Sequence, residues 1–205
     1  MGETAELEPV GKRERAKAAN REAILKAARR VFAQLGYEAA TVRDIIRGTD
    51  LASGTFYNYF RSKEEVFEAL ADDGARRFKP ILRTTRERAG NFEDYLLGAY
   101  LAYFRFLLEE NRLEGKPVGQ RQPHVRTDTP EMIAIYEEVR LGIEDAIERG
   151  LAPKLDSDYL AHACIGLAQE VGAAMLRRSP PDAESAARFA AGLVLKGLPG
   201  ASRKQ

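Results

Sequence analysis

The sequence predicts an all-α protein with a small N-terminal three-helix domain and a larger C-terminal helical bundle. Apolar residues recur every three or four positions through most of the chain, which is the period of an α-helix. Capping signals open the periodic segments and glycine or proline closes them, as with Thr41 before Asp44 at one start and Gly36 at one end. With 205 residues and 44% hydrophobic content, the chain can bury a core in one or two domains.

The periodic segments follow one another along the whole chain. We expect helices over about 20–35, from Thr41 to a turn at 49–54, over 55–60, from Ser62 onward, and over about 92–110, 129–150, 156–178 and 181–198. The helix that Ser62 and Glu65 open is long, and Pro80 should kink it or end it. Residues 111–128 contain two Pro, two Gly and three Arg, which predicts an irregular stretch that could gate a cavity.

Positive charge is concentrated near the N-terminus. The net charge of the chain is +1, but residues 12–63 hold twelve Lys and Arg against five Asp and Glu, a net +7. Residues 1–11 and 64–205 each carry a net −3. Because phosphate neutralisation supplies most non-specific DNA affinity, this asymmetry favours a nucleic-acid partner for the N-terminal third. For Lys26, Arg29 and Arg30, the solvated face of a helix is an equally good explanation.

Residues 41–63 have the pattern of a DNA-binding helix-turn-helix. A capping box opens a first short helix, the run 49–54 breaks the helical period, and a second short helix follows. Phe56 and Phe60 stand four residues apart and so share one face of that second helix. Its other side carries hydroxyl and amide groups, which bond phosphates or base edges. These groups belong to Tyr57, Asn58 and Tyr59.

The segment from about Arg21 to Leu70 resembles the DNA-binding domain of the TetR family of transcriptional regulators. The matching residues are Ile24, Leu25, Ala27, Ala28, Phe32, Gly36, Tyr37, Ala40, Thr41, Val42, Ile45, Thr55, Tyr57, Tyr59, Phe60 and Lys63. Two positions depart from the family pattern. Asp50 stands where the turn usually has Gly, and Ala52 stands where a Ser often caps the second helix, so Ser53 is expected to take over as cap. The remaining two thirds of the chain is similar to the family in architecture only.

The resemblance implies a homodimeric repressor that binds a double-stranded DNA operator with inverted-repeat symmetry. By matched position, the implied contacts to phosphates or bases are Arg43, Thr55, Tyr57, Tyr59 and Lys63. Their chemistry adds Ser53, Gly54 and Asn58, since Asn reads adenine, an exposed Gly amide binds phosphate and Ser can do either. The alternative for Tyr57 and Tyr59 is that they pack against the first helix.

On this basis the chain is divided into three regions. Residues 1–19 are a flexible basic arm, residues 20–64 the helix-turn-helix domain, and residues 65–205 an effector-binding and dimerisation domain. The arm could reach a minor groove, or its basic run could extend the first helix beside the DNA.

The last two predicted helices are rich in small residues, which allow close helix approach. They are Ala161, Ala163, Gly166, Ala168, Gly172, Ala173 and Ala174 on one, and Ala183, Ala186, Ala187, Ala190, Ala191 and Gly192 on the other. We interpret the two helices as the homodimer interface, a four-helix bundle with two helices from each subunit, where the resemblance also places it.

The resemblance also implies that the C-terminal domain binds a small-molecule effector that releases the DNA. Aromatic and aliphatic residues predict an apolar or amphipathic effector. The candidate ligand-binding residues are Tyr100, Tyr103, Phe104, Phe106, Leu107, Met132, Tyr136, Val139, His162 and Gln169. The alternative is that many of them only pack. Arg105 is expected to pair with Glu109 rather than to anchor an acidic effector, and His124 is expected to be a solvated loop histidine.

Other classes of function find little support in the sequence. No nucleophile has a base at a suggestive spacing and no phosphate loop is present, so we expect neither an enzyme nor a cofactor. One cysteine, Cys164, and two isolated histidines exclude a disulfide and a cysteine-cluster metal site, and Cys164 is expected to be buried rather than a redox sensor. Without a signal core or membrane span, the protein should be cytoplasmic. A helical ligand-carrying or protein-interaction module without DNA regulation is the alternative function.

Overall fold

A computed structural model describes residues 11–114 and 129–197 and confirms the all-α class. The described residues form eight helices and no strand. The helices are α1 Lys12–Leu35, α2 Val42–Arg47, α3 Ser53–Tyr57, α4 Lys63–Arg88, α5 Phe92–Glu114, α6 Pro130–Glu148, α7 Ser157–Leu176 and α8 Ala183–Gly197. The chain divides into two compact units, residues 1–67 and 68–205, which we call the N-terminal unit and the body.

Helix α1 begins at Lys12, not near Asn20 as predicted. Residues 12–19 are therefore helical, and the expectation of a flexible arm is wrong for this part; residues 1–10 lie outside the described residues. The physical reason lies in the composition, because every residue from 12 to 19 is Lys, Arg, Glu or Ala, all strong helix formers.

Helix α4 continues through Pro80 to Arg88, so of the two effects expected of the proline, a kink or an end, the end is wrong. Phe78 and Leu82 on either side of the proline are buried in the body. Their burial offsets the hydrogen bond that the proline cannot donate. Helix α5 likewise extends to Glu114, so the start of the predicted irregular stretch is helical; residues 115–128, with His124, lie outside the described residues.

The predicted capping signals of α2, α5 and α6 are confirmed. The Thr41 hydroxyl accepts a hydrogen bond from the Asp44 amide, and the Asp44 carboxylate accepts one from the Thr41 amide. Asn91 Oδ1 accepts from the Asp94 amide at 2.8 Å, and the Thr129 hydroxyl accepts from the Met132 amide at 3.3 Å. These bonds satisfy amides that the first turn of each helix leaves without a partner.

Helix α5 packs against α6, α7 and α8 and supplies the large residues of the core of the body. Five alanines of α8 face this core, so their assignment to the homodimer interface is wrong. The alanines concerned, all buried within the chain, are Ala183, Ala186, Ala187, Ala190 and Ala191. Ala161 and Gly172 on α7 are buried in the same way. At Gly172, an added methyl group would lie 2.7 Å from Leu107 and 3.3 Å from Phe104, so the small residues make room for large ones on α5.

Candidate nucleic-acid interface

The turn between α2 and α3 is held by its own polar groups. The Thr49 hydroxyl donates to the Ile46 carbonyl at 2.8 Å and accepts from the Leu51 amide at 3.2 Å. No described residue other than glycine has a positive φ, so Asp50 adopts an ordinary backbone here. The departure at Asp50 from the family pattern therefore costs no backbone strain.

Helix α3 starts and ends earlier than predicted, at Ser53 and Tyr57 rather than at 55 and 60. Ala52 occupies the N-cap position and makes no side-chain hydrogen bond, so the expectation that Ser53 becomes the cap is wrong. The short helix is held instead by burial, because Phe56 and Phe60 are 1% and 5% exposed. Two buried aromatic side chains fix which face of α3 is turned outward.

The outward face of α3 carries most of the predicted contact residues. Tyr57 is 58% exposed even though its ring packs edge-on against Phe56 at 5.4 Å. Exposed with it are Ser53, Gly54 and Asn58, while Thr55 is half-buried. Arg43 is exposed on α2. This face offers hydroxyl, amide and backbone groups on a rigidly held turn, the chemistry that phosphates and base edges require.

Tyr59 is half-buried, and its hydroxyl accepts a hydrogen bond from Asn20 Nδ2 at 3.3 Å. It therefore packs against α1, the alternative considered for it from the sequence. Tyr57 makes no such contact with α1 among the hydrogen bonds of the described residues. The two tyrosines, although two positions apart, have different surroundings.

The Lys63 ammonium is bound within the N-terminal unit. Nζ donates to the carbonyls of Tyr37, Glu38 and Ala40 at 2.9, 3.3 and 3.2 Å, and it lies 4.6 Å from the centre of the Tyr37 ring. An ammonium has three protons, and here each faces a carbonyl. A phosphate would have to displace one of them, so Lys63 primarily holds the loop between α1 and α2. Sequence reasoning missed this role because the partners lie 23 to 26 residues away.

Two further charged groups of the N-terminal unit are engaged. Arg30 Nη2 donates to the Gly48 carbonyl at the end of α2 at 2.8 Å, so this arginine is a structural residue rather than only a solvated one. Hydrogen bonds from the Thr41 hydroxyl and amide, followed by the charges of Arg47 and Arg43, hold the pKa of Asp44 below its usual value. Asp44 is thus ionised at neutral pH, and it caps α2 as an anion.

With this geometry established, comparison with known proteins identifies the family. Residues 24–70, which include α2 and α3, match the family described as bacterial regulatory proteins, tetR family. This segment of the chain belongs to the TetR family. The resemblance inferred from the sequence is thereby confirmed, and the N-terminal unit carries the match.

Individual relatives are similar over different lengths. The HTH-type transcriptional repressor AcnR of Corynebacterium glutamicum is 41% identical over 63 residues, 31% of this chain and 34% of that protein. The chain thus matches about a third of the length of the first curated relatives.

Solved structures share the fold over most of the chain, and two of them show how close the likeness is. The fatty acid degradation regulator FadR of Bacillus halodurans has a TM-score of 0.68 at 24% identity and covers 93% of this chain and 98% of its own. FadR of Bacillus subtilis in complex with stearoyl-CoA has a TM-score of 0.69 at 17% identity and covers 87% and 99%.

The candidate effector residues of the body fall into three groups rather than around one cavity. Tyr100 and Phe104 are buried in the core with Leu107 packed beside them, and the Tyr100 hydroxyl donates to the Cys164 carbonyl at 3.3 Å. The Tyr136 ring on α6 packs at a tilt against the His162 ring on α7, with centroids 4.8 Å apart, and the His162 side chain is 45% exposed. The third group, which we call the α4–α6 cluster, surrounds Phe78 and comprises Tyr103, Phe106, Met132 and Val139. Gln169 is half-buried on α7.

A separate groove of about 330 Å³ lies along the end of α4 and the first half of α5. Its lining consists of Thr85, Arg88, Ala89, Asp94, Gly98, Leu101, Ala102 and Arg105, with no candidate effector residue among them. Arg105 pairs with Glu184 of α8 at 3.1 Å. The expected partner Glu109 instead pairs with Arg112, so that prediction is wrong.

Cys164 is buried, as predicted, and burial raises the pKa of its thiol. A thiol held protonated in the core is a poor nucleophile, which argues against a redox role. Within residues 11–114 and 129–197, no group of three or more His, Cys, Asp or Glu could hold a metal ion. In the same ranges, no helix is both long and apolar enough to span a bilayer.

Proposed function

We propose that this protein is a ligand-responsive transcriptional repressor that binds an inverted-repeat operator as a homodimer. The observation that carries the proposal is the outward face of α3, where Tyr57 stands 58% exposed on a five-residue helix anchored by buried Phe56. An exposed aromatic hydroxyl beside Asn58, in a segment of net charge +7, suits a base edge and its flanking phosphates. The repressor name of the AcnR relative supports the same function.

The homodimer is proposed to form through the outward faces of α7 and α8. Tyr159 on α7 is 75% exposed, and Phe189 and Leu193, one turn apart on α8, are exposed as well. Within one protomer, α7 and α8 pack against each other. Exposed large apolar side chains on adjacent helices are typical of an interface, and a two-fold pair gives the self-complementary contact of a closed dimer. Of the small residues that the sequence assigned to the interface, Ala163 on α7 is exposed and Gly192 on α8 is half-buried, so they remain available to it beside these large ones.

A dimer determines the form of the operator. Two copies of α3 related by two-fold symmetry bind two half-sites about one turn of DNA apart, or somewhat more, and the half-sites form an inverted repeat. Helix α4 begins at Lys63 in the N-terminal unit and ends at Arg88 in the body. We propose that an effector bound in the body acts through this shared helix to weaken operator binding.

The effector is proposed to be apolar or amphipathic and to bind at the α4–α6 cluster. Phe106, Met132 and Val139 are half-buried there, so they can rearrange at a lower cost than the fully buried core of α5. The FadR of Bacillus subtilis is a protein of this fold in complex with stearoyl-CoA, which makes a long-chain acyl thioester the first effector to test. The effector must favour the released state by a few kcal/mol.

Binding to the DNA directly upstream of the coding region tests the proposal. We expect the purified protein to bind this duplex as a dimer in fluorescence anisotropy and native mass spectrometry. Tyr57→Ala should weaken binding about tenfold or more while the fold is retained, since one good contact contributes about 1–3 kcal/mol. Leu35→Ala, at another exposed position of the same unit, is the matched control and should bind like the parent.

Two outcomes would decide against the proposal. A protein that ignores the duplex at low salt while still binding palmitoyl-CoA would be a ligand-carrying module. Equal binding by Tyr57→Ala and the parent would show that α3 does not contact DNA. Release of the duplex by palmitoyl-CoA, and not by an equal concentration of free coenzyme A, would assign the effector class.

A further inference from the structure

The first turns of α1 extend beyond the three-helix core of the N-terminal unit. Ile24 and Ala28 are buried on the core side of α1, four residues apart. Counting back from Ile24 in steps of three and four residues gives Arg21, Lys17 and Arg13, which lie on the same side of the helix. We call these three residues the basic face. All three are exposed.

Two contacts place the beginning of the basic face beside α3. Asn20 Nδ2 donates to the Tyr59 hydroxyl at 3.3 Å, and the Arg21 guanidinium lies 5.5 Å from the centre of the Phe60 ring. Tyr59 and Phe60 lie two and three residues beyond the end of α3 at Tyr57. The basic face therefore continues outward from the end of the helix that carries the proposed DNA contacts.

Where it passes beyond the core, the side of α1 that packs on protein from Ile24 onward carries these three cations, with Asn20 and Glu14 at its margins. Arg13, Lys17 and Arg21 span about 12 Å at 1.5 Å per residue, a length over which duplex DNA presents several phosphates. Between Arg13 and Arg21 the only apolar residues are alanines, so this stretch offers no large apolar side chain to a protein partner or a membrane. A row of fixed cations on a rigid helix complements a row of phosphates.

We propose that the basic face binds the DNA phosphate backbone next to the half-site contacted by α3. This inference rests on the proposed operator binding and adds to it a second, sequence-independent contact in each protomer. Lys17 and Arg13 neutralise phosphates. Arg21 lies over the Phe60 ring and marks where the basic face meets the segment after α3. Because phosphate contacts carry no sequence information, the basic face raises affinity for operator and non-operator DNA alike.

Salt dependence measures this contact directly. The logarithm of the binding constant falls with the logarithm of salt concentration with a slope of about 0.9 for each phosphate neutralised. We would titrate the parent, Arg13→Gln with Lys17→Gln, Lys17→Gln alone and Lys26→Gln, on the upstream duplex and on a non-operator duplex of equal length. Lys26 is the matched control, because it is an exposed lysine on the opposite side of the same helix.

We expect the slope to become shallower by about 0.9 per protomer for Lys17→Gln and by about 1.8 for the double variant, equally on both duplexes. Lys26→Gln should keep the slope of the parent, and circular dichroism should show that every variant is folded. A double variant with the slope and affinity of the parent would overturn the inference while leaving operator binding intact. A loss of affinity confined to the operator duplex would also overturn the inference, because a contact that depends on sequence is a contact to bases and not to phosphates. A parent that binds neither duplex would overturn the proposed function together with this inference.

Discussion

Arg86 of α4 donates through Nε to Oε1 of Glu138 on α6 at 2.9 Å, and Glu138 is only 3% exposed. Arg83 Nε lies 3.7 Å from the other carboxylate oxygen. Burial of a carboxylate is costly unless a cation and hydrogen bonds compensate for the lost water. The arginines one turn apart therefore hold the end of α4 against α6, within the same body that is proposed to bind the effector.

Replacing this carboxylate should destabilise the body. Glu138→Ala leaves the partly buried Arg86 guanidinium without its partner, and we expect the free energy of unfolding to fall by about 2–3 kcal/mol in urea. Glu137→Ala, one position along, is the matched control, because Glu137 pairs with Arg140 at the surface and should cost less than about 1 kcal/mol. Equal losses from the two variants would mean that the buried pair contributes no more than a surface one.

A second prediction concerns Gly142 on α6, which faces the Tyr95 ring of α5. A methyl group at Gly142 would overlap the hydroxyl end of that ring, and Tyr95 is buried with its hydroxyl donating to the Val139 carbonyl at 3.4 Å. Gly142→Ala should therefore destabilise by about 1–3 kcal/mol in spite of the better helix propensity of alanine. Gly74→Ala on α4 meets nothing within 4 Å and should stabilise by about 0.5–1 kcal/mol. Thermal unfolding compares the two, and a higher melting temperature for both would contradict the close packing.

The parts of the fold that could be predicted from the sequence are those set by neighbouring residues. The starts of α2 and α6 depend on Thr41 and Thr129, whose hydroxyls bond amides three residues on. The outward face of α3 was predictable because Phe56 and Phe60, both buried, are one helical turn apart. Local spacing predicts these features because the residues that form each of them lie within three or four positions of one another.

The features that the sequence did not predict depend on distant partners. The alanines of α8 look like interface residues until α5 is known to pack on them. Tyr59 and Lys63 have the chemistry of DNA contacts, yet their groups bond Asn20 and the loop after α1, respectively. Only three-dimensional packing distinguishes these residues from Tyr57, which is exposed.

Lys63 leads to a third prediction. Lys63→Met keeps the length of the side chain but leaves the carbonyls of Tyr37, Glu38 and Ala40 without their donor, so the N-terminal unit should lose about 1–2 kcal/mol of stability. Arg61→Met removes the same charge from an exposed neighbouring position and should melt like the parent. Circular dichroism melts and duplex titrations on both variants make the comparison. If Lys63→Met melted normally but lost DNA binding, Lys63 would contact phosphate directly, as the family resemblance implies.

The last prediction concerns Phe189, which is 62% exposed on α8. If the outward faces of α7 and α8 form the dimer interface, Phe189→Glu places one buried charge in it from each copy. Each substitution also removes an apolar side chain whose burial contributes about 1.5–3 kcal/mol. We expect the dimer to dissociate about 100-fold more readily in sedimentation velocity. Ile133→Glu on α6, at a position that is 50% exposed, is the matched control and should sediment like the parent.

A monomeric Phe189→Glu variant should also lose operator binding while keeping weak, salt-sensitive binding to non-operator DNA, because the N-terminal unit of each copy is unchanged. A dimer that persists in Phe189→Glu and dissociates in Ile133→Glu would move the interface to α6.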